Sequence, residues 1–281
     1  MRAWTDLAGW LTSTLATGAL LALAATAPAR GASSEVQDES ALRVCADPAN
    51  LPYSNEKGEG FENKIAEMFA KDLGRPVAYT FVPQVIGFVR NTLRARNCDV
   101  VIGTVAGDDL VLNTNPYYRS SYVMMYRADG SISAKDLDDP QLKSKRIGAV
   151  ARTPPIDLLL RHGLIDQLQH YHLMVDTRHE QPARTLVHDI ATGGVDVGLL
   201  WGPIAGYFAK QEQVRLVMVP LGNEPDMPRM DYRITMGIRP DEVDWKHRIE
   251  QFLRDHRQDI QTLLLSYGIP LLDEQGHLIG P

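Results

Sequence analysis

No run of Lys or Arg long enough to form a basic stripe occurs in this chain, and its formal net charge is −6. Nucleic acid and anionic membrane are therefore excluded as its main partners. Cysteine is nearly absent, with Cys45 and Cys98 the only two. There is no H-E-x-x-H, no G-x-S-x-G and no G-x-G-x-x-G, which removes the zinc-protease helix, the serine elbow and the dinucleotide loop. His170-Tyr171-His172 could offer two ligands on one side of a strand, but no third stands at a metal-site spacing. The adjacent carboxylates Asp108 and Asp109 lie in a loop stretch where neighbours point apart and stay solvated, and Ser120-Ser121 has no histidine near it in sequence. Catalysis has no candidate constellation, and the chain is not expected to be an enzyme.

What is present is an ordinary globular balance: 281 residues, 44% hydrophobic and 23% charged, enough for one or two domains with a sizeable core. Arg2 precedes an apolar stretch from Leu15 to Ala27, and Ala27-Pro28-Ala29 has the small-x-small form of a cleavage site. Residues 1–29 are expected to be a signal peptide rather than a stable membrane anchor, because the run is short and rich in Ala and Thr. Residues 30–41 are polar and acidic, the composition of a disordered mature N-terminus. Export places Cys45 and Cys98 in an oxidising space, where an even pair reads as a disulfide ahead of two buried thiols. Such a bridge closes a loop of about 50 residues, on the order of 4 kcal/mol by loop entropy.

The chain is organised around the stretch from Arg90 to Tyr126. It reads as the end of an amphipathic helix, a buried strand from Cys98 that stops at Gly103, a polar loop through Pro116-Tyr117-Tyr118 and a second apolar run. Carboxyl ends of strands in open α/β sheets are where ligands sit. Upstream, Leu42–Ala46 and Val77–Val82 read as strands, and Gly60-Phe61-Glu62-Asn63 opens a helix with Ile65, Met68, Phe69 and Leu73 on one face. Val85, Phe88, Val89 and Leu93 repeat that spacing. Alternating strands and helices imply a parallel sheet.

Downstream the construction repeats. Strands are expected at Arg146–Val150, Tyr171–Val175 and Val195–Gly202, with helices after Thr153-Pro154-Pro155 and from Arg184 to Thr192. The segments NCDVVIG and GVDVGLLWG resemble each other: each follows a helix, carries Asp just inside the strand and ends at glycine. Two walls of like construction suggest two lobes facing one cleft, with lobe 1 over 42–126, lobe 2 over 127–231, and a returning hinge strand and helices over 232–281 that close lobe 1. Two crossings between the lobes make a hinge.

The segments VCADPANLPYSN, GEGFENKIAEMFAKDLGRPV, GFVRNTLRARNCDVVIG, NPYYRSSYV and VDVGLLWGPIAGYFAK together resemble the quinoprotein-dehydrogenase-associated branch of periplasmic solute-binding proteins, the MoxJ/XoxJ proteins of bacterial methanol oxidation. The resemblance covers essentially the whole mature chain. It implies an α/β, two-lobe solute-binding fold of type II and a monomeric, non-enzymatic periplasmic protein without a cofactor of its own. The implied partner is a PQQ-dependent methanol dehydrogenase, whose assembly or activation the protein would assist. The alternative is a receptor that delivers a small apolar or planar ligand to an ABC transporter. Such relatives have a longer glycine-containing loop before the double proline, where this chain goes straight from Arg152 to Thr153.

Amino-acid receptors of this architecture typically grip the ligand carboxylate with an Arg after the glycine-ended strand and its ammonium with an Asp at the end of the matching strand. Here Thr104 to Leu112 contain no Arg, and Trp201 stands where the acid is expected. The candidate cleft or partner-binding set is Asp47, Asn50, Tyr53, Phe61, Glu62, Arg90, Gly103, Thr104, Tyr117, Tyr118, Arg119, Thr153, Trp201 and Gly202. Its aromatic members suit an apolar or planar ligand, or a protruding element of another protein. Asp47 and Asn50 fit turn formation equally well, Trp201 could be core, and Arg90 and Arg119 could be solvated surface cations.

Overall fold

A computed structural model describes residues 40–172 and 180–279. The expected signal peptide, nearly all of the acidic segment at 30–41, and Val175 lie outside the described residues. Lobe 1 opens with β1 (Leu42–Ala46), a short hairpin of β2 (Ala49–Asn50) and β3 (Ser54–Asn55), α1 (Phe61–Leu73) and β4 (Val77–Phe81). It continues through α2 (Phe88–Asn91), β5 (Val100–Val105), β6 (Leu112–Asn113) and β7 (Tyr118–Arg127). Lobe 2 contains β8 (Ile147–Val150), α3 (Pro155–Arg161), β9 (Leu168–Tyr171), α4 (Pro182–Thr192), β10 (Val197–Trp201), α5 (Gly202–Ala209) and β11 (Leu216–Pro220). The chain returns through β12 (Asp231–Ile238), α6 (Val243–Asp255), α7 (Arg257–Ser266) and a last hairpin of β13 (Leu271–Leu272) and β14 (Leu278–Ile279).

Ten of the described strands form one sheet whose path runs β4-β1-β5-β12-β7-β10-β8-β9, with β6 paired to β12 and β11 to β7, while the hairpins β2–β3 and β13–β14 stand apart. In lobe 1, β1 is flanked by parallel β4 and β5; in lobe 2, β8 is flanked by parallel β10 and β9. The long strand β7 joins them. Tyr118–Ser121 pair with β12, and from Tyr122 onward the same strand pairs with β10 and β11. The second crossing runs antiparallel beside the first, where the amides of Tyr122 and Leu221 donate to the carbonyls of Met230 and Tyr122.

Local chemistry explains these elements. Helix α1 buries Ile65, Ala66 and Phe69 and ends at Gly74, whose φ of 67° supplies the left-handed cap. Phe69 lies against Trp245 and Phe252, so α1 and α6 share a core in which Phe252, Ile260 and Leu264 of the returning helices meet Leu42, Val44 and Phe61. The returning helices therefore pack on α1 and β1.

The similarity between the two Asp-bearing strands has a common cause. In lobe 1, Arg43 donates to both carboxylate oxygens of Asp99, at 2.8 and 2.6 Å. In lobe 2, Arg146 makes the same fork onto Asp196, at 3.2 and 2.9 Å. Each fork ties the start of a central strand to the start of its parallel neighbour. The lobe 1 version is buried because Arg239 also donates to Asp99 and to the carbonyl of Leu93. Beside it, Cys45 and Cys98 are joined as a disulfide with Cα atoms 5.5 Å apart, inside the ~4.4 to 6.8 Å range that a bridge requires.

Several expected boundaries shift. Strand β5 does not stop at Gly103 but runs to Val105, because β12 pairs with Thr104 and Val105. The helix expected from Val85 to Leu93 shrinks to Phe88–Asn91: Pro83 precedes it and Gly87 adopts a φ of 92°, leaving Val85 and Ile86 in an exposed loop. Tyr118 is not in a loop but begins β7, and Gly202 begins α5 rather than ending a strand. Of the strand expected over Tyr171–Val175 only the first two residues are described, and Tyr171 there ends β9, paired with β8.

The two forks differ in burial, which generates the first prediction. Asp99→Ala takes from the buried Arg239 guanidinium one of its two carboxylates, Glu242 being the other, and should cost about 3 kcal/mol. Asp196→Ala, at an exposed pair, should cost about 1 kcal/mol or less. Urea unfolding midpoints of the two variants check this; equal losses would refute the assigned difference.

Candidate functional site

The cleft forms where β7 changes partners. Tyr122, the first residue paired on the lobe 2 side, stands directly opposite Trp201 at the end of β10, and their rings meet edge-on at 5.3 Å. Trp201 also meets Tyr232 of β12 edge-on at 5.7 Å. From lobe 1, Tyr53 sits in the turn between β2 and β3 and meets Phe61 edge-on at 5.4 Å. A cavity of about 500 Å³ is bounded by Tyr53, Glu62, Gln84, Gly103, Thr104, Val105, Tyr118, Tyr122, Trp201, Tyr232 and Ile234. A second cavity of about 300 Å³ adjoins it, sharing Tyr122 and Trp201 and lined also by Asn50, Leu51, Thr153 and Leu200.

Of the residues singled out in the sequence, Tyr53, Glu62, Gly103, Thr104, Tyr118 and Trp201 surround the first cavity, and Asn50 and Thr153 line the second. The others lie elsewhere. Phe61 is fully buried, edge-on beneath Tyr53 and Tyr118. The Tyr117 hydroxyl donates to the Ile102 carbonyl at 3.0 Å, behind the wall. Asp47 is a buried turn former whose oxygens accept from the amides of Ala49 and Gln84, at 2.8 and 2.6 Å. Gly202 is buried where a Cβ would press into the Ser121 carbonyl and the Pro270 ring.

The two arginines are not at the cleft. Arg90 is an exposed residue of α2 that lines neither cavity. Arg119 points to a different groove, where it pairs with Asp231 at 2.6 Å and donates to the carbonyls of Asp273 and Glu274. Strand alternation sends Arg119 away from the side that presents Tyr118.

Sequence reasoning missed Tyr122 and Tyr232. The signal for Tyr122 is its place on β7 where that strand passes from β12 to β10, which requires the pairing to be known. Asp108 is likewise explained as a turn former, accepting from the Leu110 amide at 2.9 Å.

Electrostatics single out one group. Glu62, in the first turn of α1, is 7% exposed, and no hydrogen bond among the described residues reaches its carboxylate. A Cβ at Gly103 would overlap its Oε1, so the glycine in β5 makes room for the carboxylate. Burial, reinforced by the nearby Asp47, raises the Glu62 pKa to about 8. Burial likewise pushes the Tyr122 phenol up to about 12 and raises those of Tyr53, Tyr117 and Tyr118. No Lys, Arg or His lines the first cavity among the described residues, whereas His172 and Glu180 line the second, and the described residues contain no cluster of three or more His, Cys, Asp or Glu able to hold a metal ion. Such a wall can stack planar groups, and its single carboxyl either donates a hydrogen bond or, once ionised, faces a cation.

A raised carboxyl pKa is a stability statement with a definite sign. Folded Glu62 holds its proton up to about pH 8 whereas the unfolded chain releases it near 4.5. Its contribution is therefore fully present below about pH 4.5 and is lost as pH rises through about 8, on the order of 4 kcal/mol in all. Glu62→Gln should remove this loss, so that the variant gains on the parent between pH 5 and pH 9 in parallel urea titrations. A constant difference across that range would contradict the assignment.

The comparisons with known proteins agree with this architecture. The family model for bacterial extracellular solute-binding proteins, family 3, matches residues 42–268. A protein named MoxJ from Methylorubrum extorquens is 32% identical over 282 residues, covering 92% of this chain and 93% of its own length. The crystal structure of periplasmic binding protein XoxJ from Methylobacterium extorquens AM1 is 42% identical with a TM-score of 0.70, covering 83% of this chain and 100% of that one. The crystal structure of MxaJ from Methlophaga aminisulfidivorans MPT is 27% identical with a TM-score of 0.73, covering 82% of this chain and 100% of that one.

Proposed function

This chain belongs to the bacterial extracellular solute-binding proteins, family 3, and to their MoxJ/XoxJ group, and from that premise we propose that it is a non-enzymatic periplasmic accessory protein of a PQQ-dependent methanol dehydrogenase. It assists assembly or activation of that enzyme by docking on it, with the cleft mouth as the contact surface.

The observation that carries this reading is the apolar rim. Val85 and Ile86 are 62% and 101% exposed, in a loop anchored by the hydrogen bond from the Gln84 amide to Asp47. Gln84 itself lines the cleft, as does the exposed Val105. A receptor that closes over a small polar solute has no use for bare aliphatic side chains at its mouth, whereas a protein interface does. The aromatic floor behind the rim, with Trp201 and Tyr122 at its centre, is of the kind that dominates interface energetics. Among the described residues no arginine lines the cleft to grip an amino-acid carboxylate, which speaks against the ordinary ligand of this architecture.

Ile86→Asp tests the reading, since a fully exposed side chain contributes little to folding. The variant should keep the parent unfolding temperature and bind the purified dehydrogenase at least roughly tenfold more weakly, a loss of about 1.4 kcal/mol at one anchor. Binding measured by calorimetry that is unaffected by Ile86→Asp would remove the rim from the contact. The absence of any binding by the parent protein would remove the functional assignment.

A further inference from the structure

The cleft has a chemistry that an apolar docking site does not need. Five aromatic side chains, Tyr53, Tyr118, Tyr122, Trp201 and Tyr232, surround a cavity whose one acidic lining residue is Glu62 and which no cationic residue lines among the described residues. Glu62 is more than nine-tenths buried, its carboxylate borders the cavity, and no protein donor among the described residues satisfies it. Its oxygens are not among the sealed polar atoms that lack a partner, so they open on the cavity and take their partner, water or a ligand donor, from there. Aromatic faces attract cations through their quadrupoles, most strongly where water is excluded, and boxes of such rings are how proteins hold alkylated ammonium groups. Gly103 contributes by leaving the space in which the carboxylate sits.

We propose that this cleft is a binding site for an alkylammonium group, with Glu62 as its counter-ion and Trp201, Tyr122 and Tyr232 as the aromatic faces that enclose it. The proposal rests on reading the cleft as a recognition site and adds the chemistry of the group that enters it. That group is either a free small ammonium ion or the head of a lysine side chain on the docked partner.

The groups facing Glu62 determine how binding responds to pH. They are the carboxylate of Asp47 and the phenols of Tyr53, Tyr79, Tyr117 and Tyr118, none of them cationic. In the empty cleft the Glu62 carboxyl holds a proton up to about pH 8. An arriving ammonium favours the ionised form, so binding releases one proton below that pH, and affinity rises about tenfold per pH unit between 6 and 8 and then levels off. A neutral ligand that accepts a hydrogen bond from the protonated carboxyl would show the opposite trend.

Isothermal calorimetry on the mature protein tests this with two probes, tetramethylammonium chloride and Nα-acetyl-lysine-N-methylamide, against sodium chloride as control. Saturable binding of either probe is expected, with affinity rising from pH 6 to pH 8 and falling at least roughly tenfold in both Glu62→Gln and Trp201→Ala. Tighter binding of tetramethylammonium identifies a free alkylammonium as the natural occupant. Tighter binding of the lysine mimic, with displacement by the dehydrogenase, identifies a partner side chain. Glu62→Gln is isosteric and removes no internal hydrogen bond, so it should fold, and an unchanged circular dichroism spectrum verifies this. No saturable heat from either probe, or equal affinity in Glu62→Gln, overturns the proposal. Ile86→Asn, which adds no charge at the rim, should weaken the dehydrogenase complex without the loss of probe binding seen in Glu62→Gln, so the failure of this site and the failure of the docking surface are read separately.

Discussion

The structure depends on one strand serving two partners. Because β7 pairs with β12 as far as Ser121 and with β10 and β11 from Tyr122 onward, the lobes share a backbone at the point where the cleft must form. Register then decides what lines it. Tyr122 is opposite Trp201, and Tyr232 of the returning strand is opposite Ser120, one residue before the switch. The aromatic cluster is therefore a consequence of strand pairing at the crossing, and a slip of one residue in β7 would turn these side chains to the other face.

Around that crossing each lobe is built in the same way. A central strand is held to its parallel neighbour by an Arg–Asp fork, Arg43 with Asp99 and Arg146 with Asp196. Lobe 1 elaborates its copy with Arg239 and the Cys45–Cys98 bridge. It is also the lobe that supplies the carboxylate of Glu62 and the exposed Val85–Ile86 loop. The rigid side of the cleft thus carries its charge and its apolar rim, while lobe 2 contributes Trp201.

Much of this was legible in the sequence, and the failures have physical causes. The helix opened at Phe61, the capping Gly74, the paired cysteines and the apolar stripe of the last helices are local patterns, and each appears where its residues placed it. The end of β5 was misplaced because its last residues are held by β12, more than a hundred positions later, and no local pattern records that pairing. The spacing of Val85 with Phe88, Val89 and Leu93 mimics a helix, yet Pro83 and the left-handed Gly87 confine helix to one turn. Arg119 was placed near the mouth by sequence proximity to Tyr118, but adjacent residues of a strand face opposite sides, and Asp231 holds it there. Glu62 stood in the candidate set, but nothing in the sequence indicates that its carboxylate lies against Gly103 with no hydrogen bond from the described residues.

If the cleft and its apolar rim form one recognition surface for a dehydrogenase, hydrogen–deuterium exchange of this protein, alone and with the purified methanol dehydrogenase, should show it. Exchange should slow on complex formation in residues 82–87, 103–111 and 199–204, with the distal helices α6 and α7 unchanged. Protection confined to those helices or to the outer faces of the sheet, with residues 82–87 and 199–204 exchanging as in the free protein, would contradict that reading of the cleft.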